Sequence, residues 1–141
     1  MIYSFSFSTK NTLVQNGKVI VVLPSEISIP DTNVAINDCK GTKNGGAEET
    51  LSCTVTSSQV IINDWFSAAD FTGSITLAIG GFRNPRSLAS SSSFTLKTTD
   101  SSELSIDEAT SGLAVTMTSV NALQSVAINP QSTTNGASTN Y

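Results

Sequence analysis

The chain opens Met1-Ile2-Tyr3-Ser4-Phe5-Ser6-Phe7-Ser8, and the alternation in these residues decides the fold. Rings at 3, 5 and 7 and serines at 4, 6 and 8 repeat with a period of two. Successive side chains of a strand leave on opposite faces, so this pattern predicts a strand with one buried and one wet face. The same period returns along the chain. Leu51, Cys53 and Val55 show it, as do Ile75, Leu77 and Ile79, then Phe94, Leu96 and Thr98, and finally Leu113, Val115 and Met117. Val19 to Leu23 differs in being apolar on both faces, which predicts a central strand covered by a loop, a neighbouring subunit or a glycan layer. Turn signals separate the runs: Asn16-Gly17, Pro30-Asp31, Gly80-Gly81, Asn84-Pro85 and Asp100-Ser101-Ser102. Only residues 64–70, from Asp64 through Trp65 and Phe66 to Asp70, predict a helical turn, with Asp64 as N-cap. About eight or nine short strands with turns every 8–12 residues or so predict an all-β, immunoglobulin-like antiparallel β-sandwich.

The termini carry a second expectation. Residues 120–130 read Val-Asn-Ala-Leu-Gln-Ser-Val-Ala-Ile-Asn-Pro, a short strand with Val126 and Ile128 on one face, stopped by Pro130. A polar run follows to Thr139-Asn140-Tyr141, which reads as the approach to another strand. The sandwich core is therefore placed in residues 1–119, and residues 120–141 are read as a terminal strand plus a polar linker, available for donation to the next subunit. Neither 2–8 nor 124–128 holds a charge. Uncharged edges invite pairing with another chain, and a head-to-tail contact that does not close makes a filament. The expected assembly residues are Tyr3, Phe5 and Phe7 at one end and Leu123, Val126 and Ile128 at the other. Pairing of both terminal strands within one monomeric module is the competing arrangement.

Composition narrows the function classes. Of 141 residues, 38% are hydrophobic and 13% charged, about half the usual charged share. Ser and Thr exceed a quarter of the chain, so the surface is hydroxyl and amide rather than ionic, as in extracellular structural modules. A net charge of −4 with scattered cations argues against a nucleic-acid partner. No apolar run reaches membrane-spanning length, so no membrane insertion is expected, and no signal peptide stands at the start, so a mature or excerpted form is read. Cys39 and Cys53 are the two cysteines, expected to form one disulfide in an oxidising compartment across residues 40–49, which read as a solvated loop.

The inventory for chemistry is thin. With no histidine, imidazole base catalysis, Ser-His-Asp triads and His-ligated metals are absent. Neither a cofactor nor a metal site is expected, and the chain is not read as an enzyme. Glu48-Glu49 is a solvated pair. Asp100, Glu103, Asp107 and Glu108 are read as an acidic inter-strand turn, with calcium left open because the spacing is not that of a helix-loop-helix site. Trp65-Phe66 is read as a core anchor, with sugar stacking as the alternative. No Asn-x-Ser/Thr sequon occurs, and Ser91, Ser92, Thr133 and Thr134 are candidate O-glycan acceptors.

Several motifs together resemble a known family over most of the chain. They are Tyr3-Ser-Phe-Ser-Phe, Val19 to Leu23 ending in Pro24-Ser25, the close cysteine pair, Gly81-Phe82-Arg83-Asn84-Pro85-Arg86-Ser87, and Ser93-Phe94-Thr95-Leu96-Lys97-Thr98-Thr99-Asp100. The set resembles the β-sandwich repeat of large secreted protist surface proteins and the extracellular glycoprotein filament subunits of similar build. That resemblance implies a non-catalytic structural protomer of a fibre or repetitive surface protein, with copies of itself or adjacent like domains as partners. It also implies strand donation between neighbours, with residues 124–130 or the opening residues 2–8 as the donor. The alternative function is an adhesin-type module that binds glycans or surfaces through loops near Trp65 or Asn84-Pro85.

Overall fold

The computed structural model describes residues 1–30, 39–85 and 87–118. All of residues 120–141, read as a terminal strand and linker, lie outside them. Among the described residues there are nine strands and no helix. They are β1 (Tyr3–Ser8), β2 (Lys18–Val22), β3 (Cys39–Lys43), β4 (Glu49–Thr50), β5 (Ser52–Val55), β6 (Gln59–Asn63), β7 (Ser74–Ile79), β8 (Thr95–Thr99) and β9 (Ser105–Ala109). One antiparallel sheet has the order β1-β7-β3-β4, and the other β5-β6-β2-β8-β9. The two pack as a sandwich, as the alternation predicts.

Inward side chains from both sheets make the core: Val19, Val21, Val60 and Ile62 from one, Ile75 and Leu77 from the other, all at most 1% exposed. β2 lies between β6 and β8, the central position its sequence predicts. Its outward Ile20 is only 2% exposed, flanked in register by Ile61 and Lys97. Neighbouring side chains, including the stem of Lys97, shield it within the single chain, so no added layer is required.

Four local readings are corrected. The strand read from Leu51 begins one residue later, at Ser52. β4 belongs to the first sheet and β5 to the second, and the chain changes layer at Leu51, which is 3% exposed. Residues 40–43 are not loop, because β3 pairs with β7 from Cys39↔Ile79 to Lys43↔Ile75. The acidic run is half strand, since residues 105–109 form β9 on β8. Finally, Asp64 takes φ +58°, where an N-cap residue sits in the extended region, and residues 64–70 form bends and a turn. Trp65 and Phe66 are both buried.

Cys39 on β3 and Cys53 on β5 form the expected disulfide, with Cα atoms 6.4 Å apart. The bond joins the two sheets across one side of the sandwich. Its sequence separation of 14 residues corresponds to about 3 kcal/mol in the chain-entropy account. Substituting Cys39→Ala with Cys53→Ala is expected to lower Tm by about 10 °C. Differential scanning calorimetry checks this, and an unchanged Tm would mean the bond constrains nothing in the unfolded chain.

Candidate strand-acceptor groove

The two lateral sides of the sandwich are unlike. One is closed by the layer change at Leu51 and by the disulfide. On the other, the edge strand of each sheet, β1 and β9, faces a groove that neither fills. β1 is the longest of the four edge strands, six residues against two, four and five. It carries no charge, proline or bulge, the usual devices that blunt an edge.

The phase of the β1 ladder settles which groups face outward. Thr9 N–H donates to Gly73 O at 3.0 Å, continuing the β1–β7 register in which Phe7 opposes Ile75. In an antiparallel pair, bonded residues alternate. Phe7, Phe5 and Tyr3 therefore direct their N–H and C=O groups to β7. Ser4, Ser6 and Ser8 direct theirs to the open side, and their amides donate to no acceptor among the described residues. Their side chains lie on the wet face, where the Ser6 and Thr76 hydroxyls are 3.2 Å apart.

The inner face of β1 lines the groove. Tyr3, Phe5 and Phe7 are only half-buried, although each packs on the core. Phe94, 1% exposed, meets Phe5 edge-on at 5.4 Å and Tyr3 at 5.8 Å. Tyr3 also stacks on Phe82 at 4.6 Å and donates its hydroxyl to Asn84 Oδ1 at 2.7 Å. Partial burial raises the Tyr3 pKa above its usual value. The groove holds about 460 Å³, with Phe5, Phe7, Phe94, Leu96, Leu113 and Val115 among its walls. A second hollow of about 230 Å³ shares Phe7, Leu96 and Ala109 and ends at Lys10 and Asp107.

The far wall is β9 and its continuation. After Gly112, at φ +77°, the chain runs beside residues 91–94, which lead into β8. Leu113 O accepts from Phe94 N–H at 3.2 Å, and Val115 O from Ser91 N–H at 2.9 Å. Leu113 N–H donates to Ser93 Oγ at 3.1 Å, and Val115 N–H to Ser91 Oγ at 3.0 Å. Ser91 is thus 6% exposed, its oxygen holding the wall, and a glycan there would remove the proton that its hydroxyl donates to Ser92 O. Ser92 is exposed, but its hydroxyl donates to Glu26 Oε1 at 2.8 Å, which holds the Glu26 pKa below its usual value. At the other end, Asp107 Oδ2 accepts from the Lys10 and Asn11 amides, both at 3.1 Å, and Oδ1 from Asn11 Nδ2 at 2.7 Å. This clamp ties β9 to the loop after β1.

Of the residues assigned to assembly from sequence, Tyr3, Phe5 and Phe7 line one groove, while Leu123, Val126 and Ile128 lie outside the described residues. Thr133 and Thr134 lie outside them too. Phe94, Leu96, Leu113 and Val115 were read only as ordinary strand positions. Their alternation predicted burial, but nothing local said that they face β1.

The other candidate sites are internally engaged. Trp65 is 8% exposed and Phe66 3%, with Lys43 Nζ 5.4 Å and 5.7 Å from their ring centres, so neither offers an open stacking face. Asp100 Oδ1 accepts from the Ser102 and Leu104 amides, shaping the turn. Glu103 pairs with Lys18 at 2.9 Å, which lowers its pKa. Among the described residues no group of three His, Cys, Asp or Glu side chains is placed to hold a metal ion, and no helix is long and apolar enough to cross a membrane. No known protein family, curated protein or solved structure matches the chain.

Proposed function

We propose that the chain is a structural protomer of an extracellular fibre or repetitive surface protein, joined to like units by strand addition at β1. The observation that carries this reading is the uncharged β1 edge, unpaired among the described residues, above an apolar groove. A lone strand laid there would satisfy the outward groups of Ser4, Ser6 and Ser8. Its alternate side chains would fill the space beside Phe5, Phe7 and Phe94. The disulfide, the low charge and the hydroxyl-rich surface support an oxidising, extracellular setting. The resemblance to repeats of secreted surface proteins agrees with it.

A donor from a neighbouring copy would make a heterologous contact, which propagates as a filament unless the rotation closes it into a ring. Electron microscopy of the undigested protein at near-physiological salt tests the reading. Filaments with an axial repeat of one domain, tens of ångströms, are expected. Isolated particles at every concentration would overturn it, and a glycan-binding screen would then test the adhesin alternative.

A further inference from the structure

The strand-addition reading leaves open the direction of the added strand and the side chains it must carry. The parity of β1 constrains both. Its wet-face residues, Ser4, Ser6 and Ser8, are the ones that point their backbone groups to the open side. In an antiparallel neighbour, residues directly opposite exchange both bonds and keep their side chains on one face. Its wet-face residues therefore bond the three serines. Its inner-face residues lie opposite Phe5 and Phe7 in the closer, non-bonded pairs, with Cα atoms about 4.5 Å apart. A parallel neighbour reverses the parity, because the residues whose amides reach β1 are then the inner-face ones. The antiparallel arrangement is the more stable per residue, and it places the closest side-chain approach beside the groove.

The walls decide the side chains. Among the described residues that line the groove none is charged, and Phe5, Phe7, Phe94, Leu113 and Val115 make it apolar. A charged group placed there would be buried without a partner. Charges begin only past Phe7, in the hollow of about 230 Å³ where Lys10, Lys97, Asp107 and Glu108 stand. On the outer face the neighbours are hydroxyls: Ser4, Ser6 and, 3.2 Å from the Ser6 oxygen, Thr76. An edge strand of a second folded copy offers a backbone but no filling. The Phe5 and Phe7 of its β1, the Val55 of its β5 and the Ile106 of its β9 already pack on its own core. The occupant is therefore a segment with no sandwich behind it.

We propose that β1 takes up, antiparallel, an uncharged extended segment of another chain in which hydroxyl residues alternate with aliphatic ones. The hydroxyl residues bond Ser4, Ser6 and Ser8, and two aliphatic side chains enter the groove opposite Phe5 and Phe7. Aliphatic groups suit these positions because β1 supplies the rings, and an aromatic side chain pairs favourably with a β-branched one across two strands. The proposal rests on the strand-addition reading and adds the direction of the partner and the order of its side chains. The segment enters at the charged end, beside Lys10 and Glu108, and leaves at the end where β1 begins. Charge is thus allowed before the segment and excluded within it.

Titration of the full chain in dilute solution with the capped peptide Thr-Val-Thr-Val-Thr tests this, read at the amide resonances of Ser4, Ser6 and Ser8. The peptide is expected to shift these amides and to slow their hydrogen exchange. N-methylation of the central threonine should weaken binding about tenfold or more, because that amide faces β1. N-methylation of a valine should change it by less than about threefold, because that amide faces away. Replacing both valines by lysine should abolish it. The opposite methylation pattern would overturn the antiparallel direction and leave strand addition standing. Equal binding of the lysine peptide would overturn the groove as the surface that selects the partner. Shifts at the three serines on concentrating the protein alone, with none from the peptide, would overturn the lone-segment partner and leave strand addition standing. No change at these amides under either condition would overturn both.

Discussion

Ser6→Pro is expected to leave the sandwich folded and to weaken assembly roughly tenfold to hundredfold, whereas Phe7→Pro should unfold it. The two positions are adjacent and differ in where their amides point. Ser6 N–H faces the open side, so a proline there removes no bond to β7. It deletes one donor to an incoming strand and leaves that strand's carbonyl unpaired, a loss of about 1–3 kcal/mol. The intramolecular cost is about 1 kcal/mol or less, since β-strand φ relaxes to the proline value at an edge. Phe7 N–H belongs to the ladder with Ile75, and its ring packs on the core. Losing both costs about 4 kcal/mol or more. Light scattering after size-exclusion chromatography reads the assembly, and a circular dichroism melt reads the fold. A Ser6→Pro protein that polymerises like the parent would remove β1 as the junction.

Gly41→Val is expected to cost about 3 kcal/mol or more. A Cβ at Gly41 would lie 2.5 Å from Trp65 Cη2, 2.8 Å from Trp65 Cζ2 and 2.9 Å from Leu51 Cδ1. The indole therefore lies on the bare backbone of β3, beside the residue at which the chain changes layer. Trp65 has no easy escape, because Phe66 packs 5.1 Å away and Lys43 caps the pair. Its Nε1 is buried without a partner among the described residues, so the site is held by packing rather than by a hydrogen bond. The strain should be shared: adding Trp65→Leu to Gly41→Val is expected to cost at least 1 kcal/mol less than the sum of the single changes, because the two groups compete for one space. Urea unfolding measures all three variants. A Gly41→Val loss below about 1 kcal/mol would mean that Trp65 readily repacks.

The inner face of β1 was legible in sequence, the walls of the groove beside it were not. Tyr3, Phe5 and Phe7 announce a half-buried strand because rings and serines alternate, and the absence of charge marks that strand as an unprotected edge. Phe94 and Leu96 announce burial in the same way, yet the same alternation suits any sandwich core. What makes them groove residues is the space beside β1 that no strand of the described residues fills. Residues 40–43 were hidden because Lys-Gly-Thr-Lys has no apolar periodicity. Their pairing with β7 comes from tertiary contact, and Gly41, poor in isolated strands, is kept there by the indole above it.

By itself the sequence determined the all-β class, most strand positions, the inward face of the strands it located and the single disulfide. These depend on local stereochemistry and on parity: side chains alternate whatever the strand pairs with, and two cysteines 14 residues apart in an otherwise polar stretch have one partner each. Only the tertiary structure decided which sheet each strand joins, that residues 49–55 cross between layers, and that β1 and β9 border one groove although nearly the whole chain separates them. Sheet partnership is made by backbone hydrogen bonds, which are alike for every residue but proline. It therefore leaves little trace in side-chain identity until the two layers close over a common core.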